Sequence, residues 1–202
     1  MAFSMFGDRD GFIDEADPVS PLSNPDAGTG TAVLERPEEE TKLDDGGNGD
    51  ADAGEIAQVQ HESWVQAYRQ LLPRDFPLRS EAERITIWQE RIAAHPCHTL
   101  LAEQDDALVG FLYWIPEASH RALLRSLYLH PFFWRQGIGS QLLRQAMGDM
   151  CNEGIRRLSL WVLANNIPAE RFYLSHGFHY DGQSQSQPLG SGRYLQRHMV
   201  KA

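Results

Sequence analysis

Cysteine is scarce in this sequence, and long apolar runs are missing from it. The two cysteines, Cys97 and Cys151, lie far apart and have no partner at metal-binding or redox spacing. This scarcity argues against a disulfide framework and is typical of a reducing cytoplasm. No apolar run reaches the roughly 18 residues of a membrane span, and the start has no basic patch followed by an apolar segment. We therefore expect a soluble, cytoplasmic protein that is not exported.

Basic residues are scarce in the first quarter of the chain. Up to Glu55 there are 15 acidic and 3 basic side chains, a net charge of −12, whereas the remainder has 13 acidic and 15 basic side chains, a net charge of +2. The overall charge of −10 therefore comes from the front segment. Neither part has the basic stripe of a nucleic-acid-binding protein, so neither a nucleic acid nor a membrane is expected as a partner.

Composition divides the chain into three parts. Residues 1–30 form an acidic segment that is too polar to bury a core, and we predict that it is disordered. Residues 31–52 are predicted to form an acidic loop, in which the apolar and β-branched stretch 31–35 could make a first strand. Residues 53–202 have the length and patterning of one folded domain.

Helices and strands alternate in the predicted domain. Helices are predicted from about residue 53 to Pro73 with Asp50 or Asp52 as cap, from a capping box at Ser80 and Glu83 to before Pro96, from Ser140 to Gly154, and from Asn166 to Gly177. Strands are predicted at 99–103, 108–114, 123–129, 157–163 and 193–200. This mixture predicts an α/β fold with a mixed sheet.

The most informative stretch is LYLHPFFWRQGIGSQLL at 127–143, where a strand leads through a glycine turn into a helix. Gly137 and Gly139 lack a Cβ, so backbone amides at the positive end of the helix can approach an anion, and Arg135 can add a charged contact. Two glycines at this spacing more often form a tight strand-to-helix connection than an anion-binding site. A dinucleotide fold needs a third glycine, where Leu142 stands, and a nucleotide P-loop needs a Gly-Lys-Ser/Thr sequence, which does not follow.

A second stretch, NNIPAERFYLSHGF at 165–178, completes the pattern. The two stretches together resemble the GNAT superfamily of N-acetyltransferases, and the resemblance extends over about residues 53–202, with HESWVQAYRQLLP at 61–73 similar to the substrate-side first helix. The superfamily's later motif, Asn-x-x-Ala-x-x-Phe-Tyr-x-x-x-Gly-Phe, is matched by Asn166, Ala169, Phe172, Tyr173, Gly177 and Phe178. One position departs from the cofactor motif Arg/Gln-x-x-Gly-x-Gly/Ala, because Trp134 stands first and Arg135 follows it.

The resemblance implies a fold, a cofactor and a reaction. The two central strands, 123–129 and 157–163, are expected to splay apart so that the pantetheine arm of acetyl-coenzyme A bonds to exposed backbone. The acetyl group then passes directly from the thioester to an amine of a small molecule or a protein without a metal, and Tyr173 protonates the departing sulfur. The implied cofactor contacts are Leu127, Leu129, Arg135, Gln136, Gly137, Ile138, Gly139, Ser140 and Asn166. Homodimers are common among such proteins.

The base that deprotonates the amine stays open. Relatives often carry a glutamate on the strand where Leu123 stands in this chain. The remaining candidates are Glu62, His61, Glu117 and His120, each of which is more typical of a solvated surface residue, and a water relay could replace them all.

Other residue clusters have simpler interpretations. The histidines of HPCH at 95–98, together with His176 and His179, lack the second half of a metal site. Cys151 is interpreted as helix packing. Four aromatic side chains could line an acceptor pocket, although such spacings more often fill a core: Trp64, Tyr68, Trp88 and Trp114.

Two rival functions remain. The departure at Trp134 and the missing strand glutamate favour a non-catalytic acyl-coenzyme A sensor that docks partners through its acidic segment. A dinucleotide-binding oxidoreductase is a more distant alternative, which saturable binding of NAD would distinguish.

Overall fold

A computed structural model gives the fold of residues 41–45, 50–68, 78–118, 120–189 and 192–202. The predicted disorder of 1–30, the predicted strand at 31–35 and the predicted helix end at Pro73 all lie outside these residues.

The described residues form a seven-stranded mixed sheet, which confirms the predicted α/β class. Its strands are β1 (Lys42–Asp45), β2 (Thr99–Gln104), β3 (Ala107–Ala118), β4 (Arg121–Leu129), β5 (Arg157–Leu163), β6 (His179–Leu189) and β7 (Gly192–Lys201). They lie in the order β1-β2-β3-β4-β5-β7-β6. Neighbouring strands are antiparallel except for the central pair, β4 and β5, which is parallel.

The helices in the described part of the chain are α1 (Asp50–Tyr68), α2 (Glu81–Ala94), α3 (Ile138–Asn152) and α4 (Ile167–Ser175), with a 3₁₀ turn at Pro131–Phe133. At α2 the predicted capping box is present: Glu83 N donates to Ser80 Oγ at 3.3 Å, and Ser80 N donates to Glu83 Oε2 at 2.8 Å. Helix α1 begins at Asp50, earlier than predicted, so Asp50 and Asp52 are residues of its first turn and do not precede the helix as caps.

Two edge strands depart from the sequence prediction. Strand β1 lies within the segment predicted as an acidic loop, and β6 was not predicted at all because its sequence, HYDGQSQSQPL, is mostly polar. Among the described strands, β1 pairs with β2 alone and β6 with β7 alone. An edge strand buries little side-chain surface, so backbone pairing can form it without an apolar pattern.

Apolar side chains pack on both faces of the sheet. Residues of α3 and α4 form one cluster with β2, β3, β4 and β5, whereas residues of α1 and α2 form the other with β2, β3 and β4. Trp88 and Trp114 are fully buried and Trp64 nearly so, which favours the core interpretation of these aromatic residues; the side chain of Tyr68 lies outside the described part. Cys151, by contrast, is exposed on α3, so its interpretation as packing is wrong.

No helix in the described ranges is long and apolar enough to cross a membrane.

Candidate active site

A gap opens between the two central strands. Strands β4 and β5 share three register pairs, from Arg121 with Arg157 to Leu123 with Ser159. Beyond that point both strands continue, β4 to Leu129 and β5 to Leu163, without pairing to each other. The predicted splay is therefore present, and it opens toward the carboxyl ends of both strands.

The edge of β4 presents backbone groups to this gap. His130 N donates to Val109 O at 2.8 Å, and Leu129 is in register with Gly110 of β3. Because alternate residues of an antiparallel strand bond to the same neighbour, Leu127 and Leu129 direct their backbone groups away from β3 and toward the gap. Both residues thus lie where the resemblance implies a pantetheine arm.

The carbonyl of Leu129 already has two donors. Ser63 Oγ of α1 and Trp134 Nε1 each donate to Leu129 O at 2.6 Å. The tryptophan that departs from the cofactor motif therefore ties the start of the turn to the end of β4. In the part of the chain that the structure describes, no turn or loop bond is made to the backbone of Leu127, and none to the N–H of Leu129.

The glycine turn stands at the open end of the gap. Gly137 is left-handed (φ 87°), and a Cβ there would meet no atom within 4 Å, so the turn is open to a ligand. Ser140 N and Gln141 N donate to Gly137 O, each at 3.0 Å, and these bonds begin α3. The preceding amides of the first turn have no intrahelical acceptor and lie at the positive end of the helix dipole. Such a turn suits a diphosphate.

The side chains of the turn differ in what they contact. Arg135 is exposed and left-handed (φ 63°), and Gln136 Nε2 donates to Phe132 O at 2.9 Å. Ile138 and Gly139 are buried at the start of α3, so they can offer a ligand only backbone groups.

Ser140 is held by a histidine that the sequence analysis considered only as a metal ligand. His176 Nδ1 lies 2.7 Å from Phe172 O, and Nε2 lies 3.0 Å from Ser140 Oγ. Because a carbonyl only accepts hydrogen bonds, Nδ1 carries the proton, and in the neutral ring Nε2 accepts from the serine hydroxyl. His176 therefore joins the first turn of α3 to the end of α4.

Helix α4 places the remaining motif residues. Asn166 is buried at its start, where Oδ1 accepts from Ala169 N at 3.4 Å. Tyr173 is fully buried, edge-on to Phe178 with ring centroids 5.2 Å apart. Burial raises the pKa of Tyr173 well above its usual value, so the phenol stays protonated at neutral pH. It can donate a proton, and the group that receives the proton must enter the apolar cluster around it.

The four candidate bases lie at different ends of the sheet. Glu117 and His120 lie near the first β4–β5 register pair, at the closed end of the gap. Burial, with a smaller effect of the Arg84 guanidinium, lowers the pKa of His61 on α1. Glu62 Oε2 lies 2.9 Å from His130 Nε2, just beyond the end of β4. Glu62 is thus the candidate carboxylate placed at the open end.

Two cavities lie away from the gap, at the carboxyl end of α3. One, of about 350 Å³, is lined by Met147, Met150, Cys151 and Lys201 among others, and the other, of about 500 Å³, by Leu43, Cys97, Asp149 and Glu153 among others. Within the described ranges, no three or more His, Cys, Asp or Glu side chains form a group that could hold a metal ion.

The parted parallel strands and the adjacent glycine turn together define the GNAT class of fold. The model of the family described as "Acetyltransferase (GNAT) family" matches residues 64–178, more than half of the chain, and the chain belongs to that family. At the level of the family it is an N-acetyltransferase.

Individual relatives support the same assignment. The L-amino acid N-acetyltransferase AaaT of Escherichia coli (strain K12) is 32% identical over 116 residues, which are 54% of this chain and 70% of the relative. The spermidine N(1)-acetyltransferase of Thermoplasma acidophilum is 26% identical over 145 residues, which are 69% of this chain and 89% of the relative.

Solved structures share the fold. The PaiA N-acetyltransferase of Thermoplasma acidophilum, crystallised with coenzyme A, superimposes with a TM-score of 0.59 at 22% identity, covering 80% of this chain and 98% of the other.

Proposed function

We propose that this chain transfers an acetyl group from acetyl-coenzyme A to the primary amine of a small molecule or a protein. One observation carries the proposal: the β4 edge that faces the gap and the open amide end of α3 lie at the same end of the sheet. A ligand with an extended amide-containing arm and a diphosphate is complementary to this pair of features.

Each site residue then has a role. The backbone of Leu127 and the N–H of Leu129 bind the arm, and Asn166 lies beside it. The turn from Arg135 to Ser140 wraps the diphosphate. The amine nitrogen forms a bond to the thioester carbonyl carbon, the carbon–sulfur bond breaks, and Tyr173 protonates the sulfur.

The relatives suggest acceptors to test first. One acetylates L-amino acids and another spermidine, according to their names, so small amines are the first class to test. A peptide with a free amino terminus represents the protein alternative.

A non-catalytic acyl-coenzyme A sensor is the second candidate. Two features favour it: the enclosed hydroxyl of Tyr173, and Trp134 in place of the motif's polar residue.

One experiment separates the two functions. Binding of acetyl-coenzyme A is titrated by calorimetry, and thiol release is followed with L-amino acids, spermidine and the peptide. We expect thiol release that depends on one of the amines, together with an acetylated product in the mass spectrum. Saturable binding without thiol release for every amine would instead identify a sensor.

A further inference from the structure

A carboxylate and an imidazole form a pair beside the gap that the sequence analysis did not single out. Asp181 Oδ2 of β6 lies 2.7 Å from His198 Nδ1 of β7. His198 is in register with Trp161 of β5, and their ring centroids are 4.7 Å apart. Trp161 lies beyond Ser159, the last β5 residue that pairs with β4. The backbone of β7 at His198 is therefore one strand spacing, about 4.8 Å, from β5, the strand that borders the open part of the gap.

The pair lies on the face of the sheet opposite α4. Leu160, Val162 and Met199 belong to the same apolar cluster as Tyr173. Because successive side chains of a strand point to opposite faces, Trp161 and His198 point to the other face. The phenol of Tyr173 and the imidazole of His198 therefore lie on opposite faces of the sheet, and β5 separates the imidazole from the gap.

The hydrogen bond fixes the protonation pattern of the ring. A carboxylate only accepts, so Nδ1 of His198 carries a proton, and Nε2 of the neutral ring has a free lone pair. No group in the described part of the chain bonds to Nε2. A carboxylate that orients an imidazole in this way leaves the second nitrogen ready to take a proton.

The backbone of β6 is shaped to hold Asp181. Tyr180 is in register with Met199 and Ser184 with Arg197, so residues 181–183 bulge out opposite His198 alone. Gly182 is left-handed (φ 87°), and Asp181 also accepts from Gln183 N at 3.1 Å and Gln183 Nε2 at 2.8 Å. Although burial acts to raise the pKa of Asp181, the bonds from His198 and Gln183 lower it, so the carboxylate stays ionised.

A second carboxylate–imidazole pair near the gap lacks the free nitrogen. His130 Nε2 lies 2.9 Å from Glu62 Oε2, and His130 Nδ1 accepts from Phe132 N at 3.4 Å. Both nitrogens of that ring are engaged. His198 therefore differs from His130 because, in the described part of the chain, one nitrogen of its ring has no hydrogen-bond partner and can accept a proton.

We propose that His198, oriented by Asp181, is the general base that deprotonates the acceptor amine. This inference rests on the proposed function, which assigns no residue as the base that deprotonates the amine. His198 Nε2 takes a proton from the acceptor ammonium, and the freed lone pair forms the nitrogen–carbon bond as the carbon–sulfur bond breaks. Tyr173 protonates the sulfur and regains one of the nitrogen's protons, so the imidazolium carries the proton that the overall reaction releases.

In the described ranges, the titratable groups on the adjoining strands that share the face of the imidazole include Asp181 and His179, which is in register with Val200. Asp181 approaches from β6 and the uncharged Trp161 from β5, while Gln196 and Val200 are the next residues of β7 on the same face. Asp181 is thus the charged group that contacts the imidazole directly.

The test compares H198Q and D181N with the control H179Q, a substitution at an exposed histidine of β6. Transfer is measured from pH 5.5 to 9 with an alkylamine, which is protonated at neutral pH, and with hydroxylamine, which is not. We expect H198Q to lower kcat/KM for the alkylamine by about 100- to 10,000-fold and to remove the acidic limb of its pH profile, which is the fall in kcat/KM at low pH. For hydroxylamine, the loss in kcat/KM should be below about tenfold. D181N should displace the same limb. Acetyl-coenzyme A affinity and the thermal midpoint should stay unchanged.

Each other outcome has a defined meaning. An active wild type whose rate and pH profile persist in H198Q overturns the assignment of His198 alone. A wild type that transfers to no amine overturns the proposed function and this assignment with it. If H198Q fails to fold, D181N decides: an unchanged acidic limb in D181N rejects the pair as the base.

Discussion

The imidazole of His98 stacks on the indole of Trp114, with ring centroids 3.8 Å apart and planes inclined by 24°. His98 precedes β2, and Trp114 is a fully buried residue of β3. Burial lowers the pKa of His98 more than the nearby Glu153 carboxylate, 3.4 Å from Nε2, raises it. The fold therefore favours the neutral ring.

Acidification should destabilise the protein partly through His98. A histidine whose pKa is lower in the folded state is protonated more readily in the unfolded chain, so its stabilising contribution is complete above about pH 6.5 and is lost as pH falls. We expect H98F, which keeps a ring against Trp114, to reduce the slope of unfolding free energy against pH. Urea unfolding at several pH values measures it. His61, whose pKa is shifted the same way, should leave part of the slope in place.

Replacing Tyr173 by phenylalanine tests the acid. We expect Y173F to slow transfer by about 100- to 10,000-fold, because the departing sulfur loses its proton donor. Acetyl-coenzyme A affinity should change little. The matched control is Y180F, at a half-buried tyrosine of β6. Full rate in Y173F at saturating acceptor would rule out the acid role.

The raised pKa of Tyr173 also predicts the shape of the wild-type profile. The phenol remains protonated from about pH 7 to about pH 9, so its ionisation should cause no alkaline fall in rate over that range. An alkaline fall within it that Y173F abolishes would contradict the assignment.

Removing His176 should weaken cofactor binding through Ser140. H176A loses the hydrogen bonds that join the start of α3 to Phe172 O, and one net hydrogen bond corresponds to a loss of about 2- to 10-fold in affinity. Calorimetric titration with coenzyme A measures the change. The control H179A alters an exposed histidine, and an equal loss there would show that the effect is not specific to the turn.

Two glycine-to-alanine substitutions should have opposite effects on stability. A Cβ at Gly110 would overlap the Leu129 side chain and lie 2.8 Å from Tyr128 O, so G110A should destabilise the fold by about 1–3 kcal/mol. A Cβ at Gly148, on the exposed side of α3, would meet nothing within 4 Å, so G148A should stabilise it by about 0.5–1 kcal/mol. Thermal unfolding compares the two. A stable G110A would mean that β3 and β4 are less closely paired than the structure shows.

Local rules predicted much of the fold. Strand β5 has the predicted bounds, and the Ser80–Glu83 box starts α2 as expected, because both signals lie within a few adjacent residues. Strand β6 could not be predicted in the same way, since its backbone pairing with β7, not an apolar pattern, defines it.

The candidate site was only partly visible in the sequence. The glycine turn and Tyr173 stand out because the motif concentrates them in short stretches. Asp181 and His198 are 17 residues apart and meet only because a bulge in β6 faces one residue of β7. Likewise, nothing in the motif indicated that Trp134 Nε1 bonds to Leu129 O.

The three register pairs between β4 and β5 have a mechanical consequence. They divide the sheet into two antiparallel blocks, β1 to β4 and β5 to β7, which are joined by a short seam near Leu123 and Ser159. A molecule whose amides hydrogen-bonded to both open edges would replace the backbone pairing that β4 and β5 lack there. Binding of such a molecule would restrict the change of angle between the two blocks, and its release would allow the blocks to move relative to each other again.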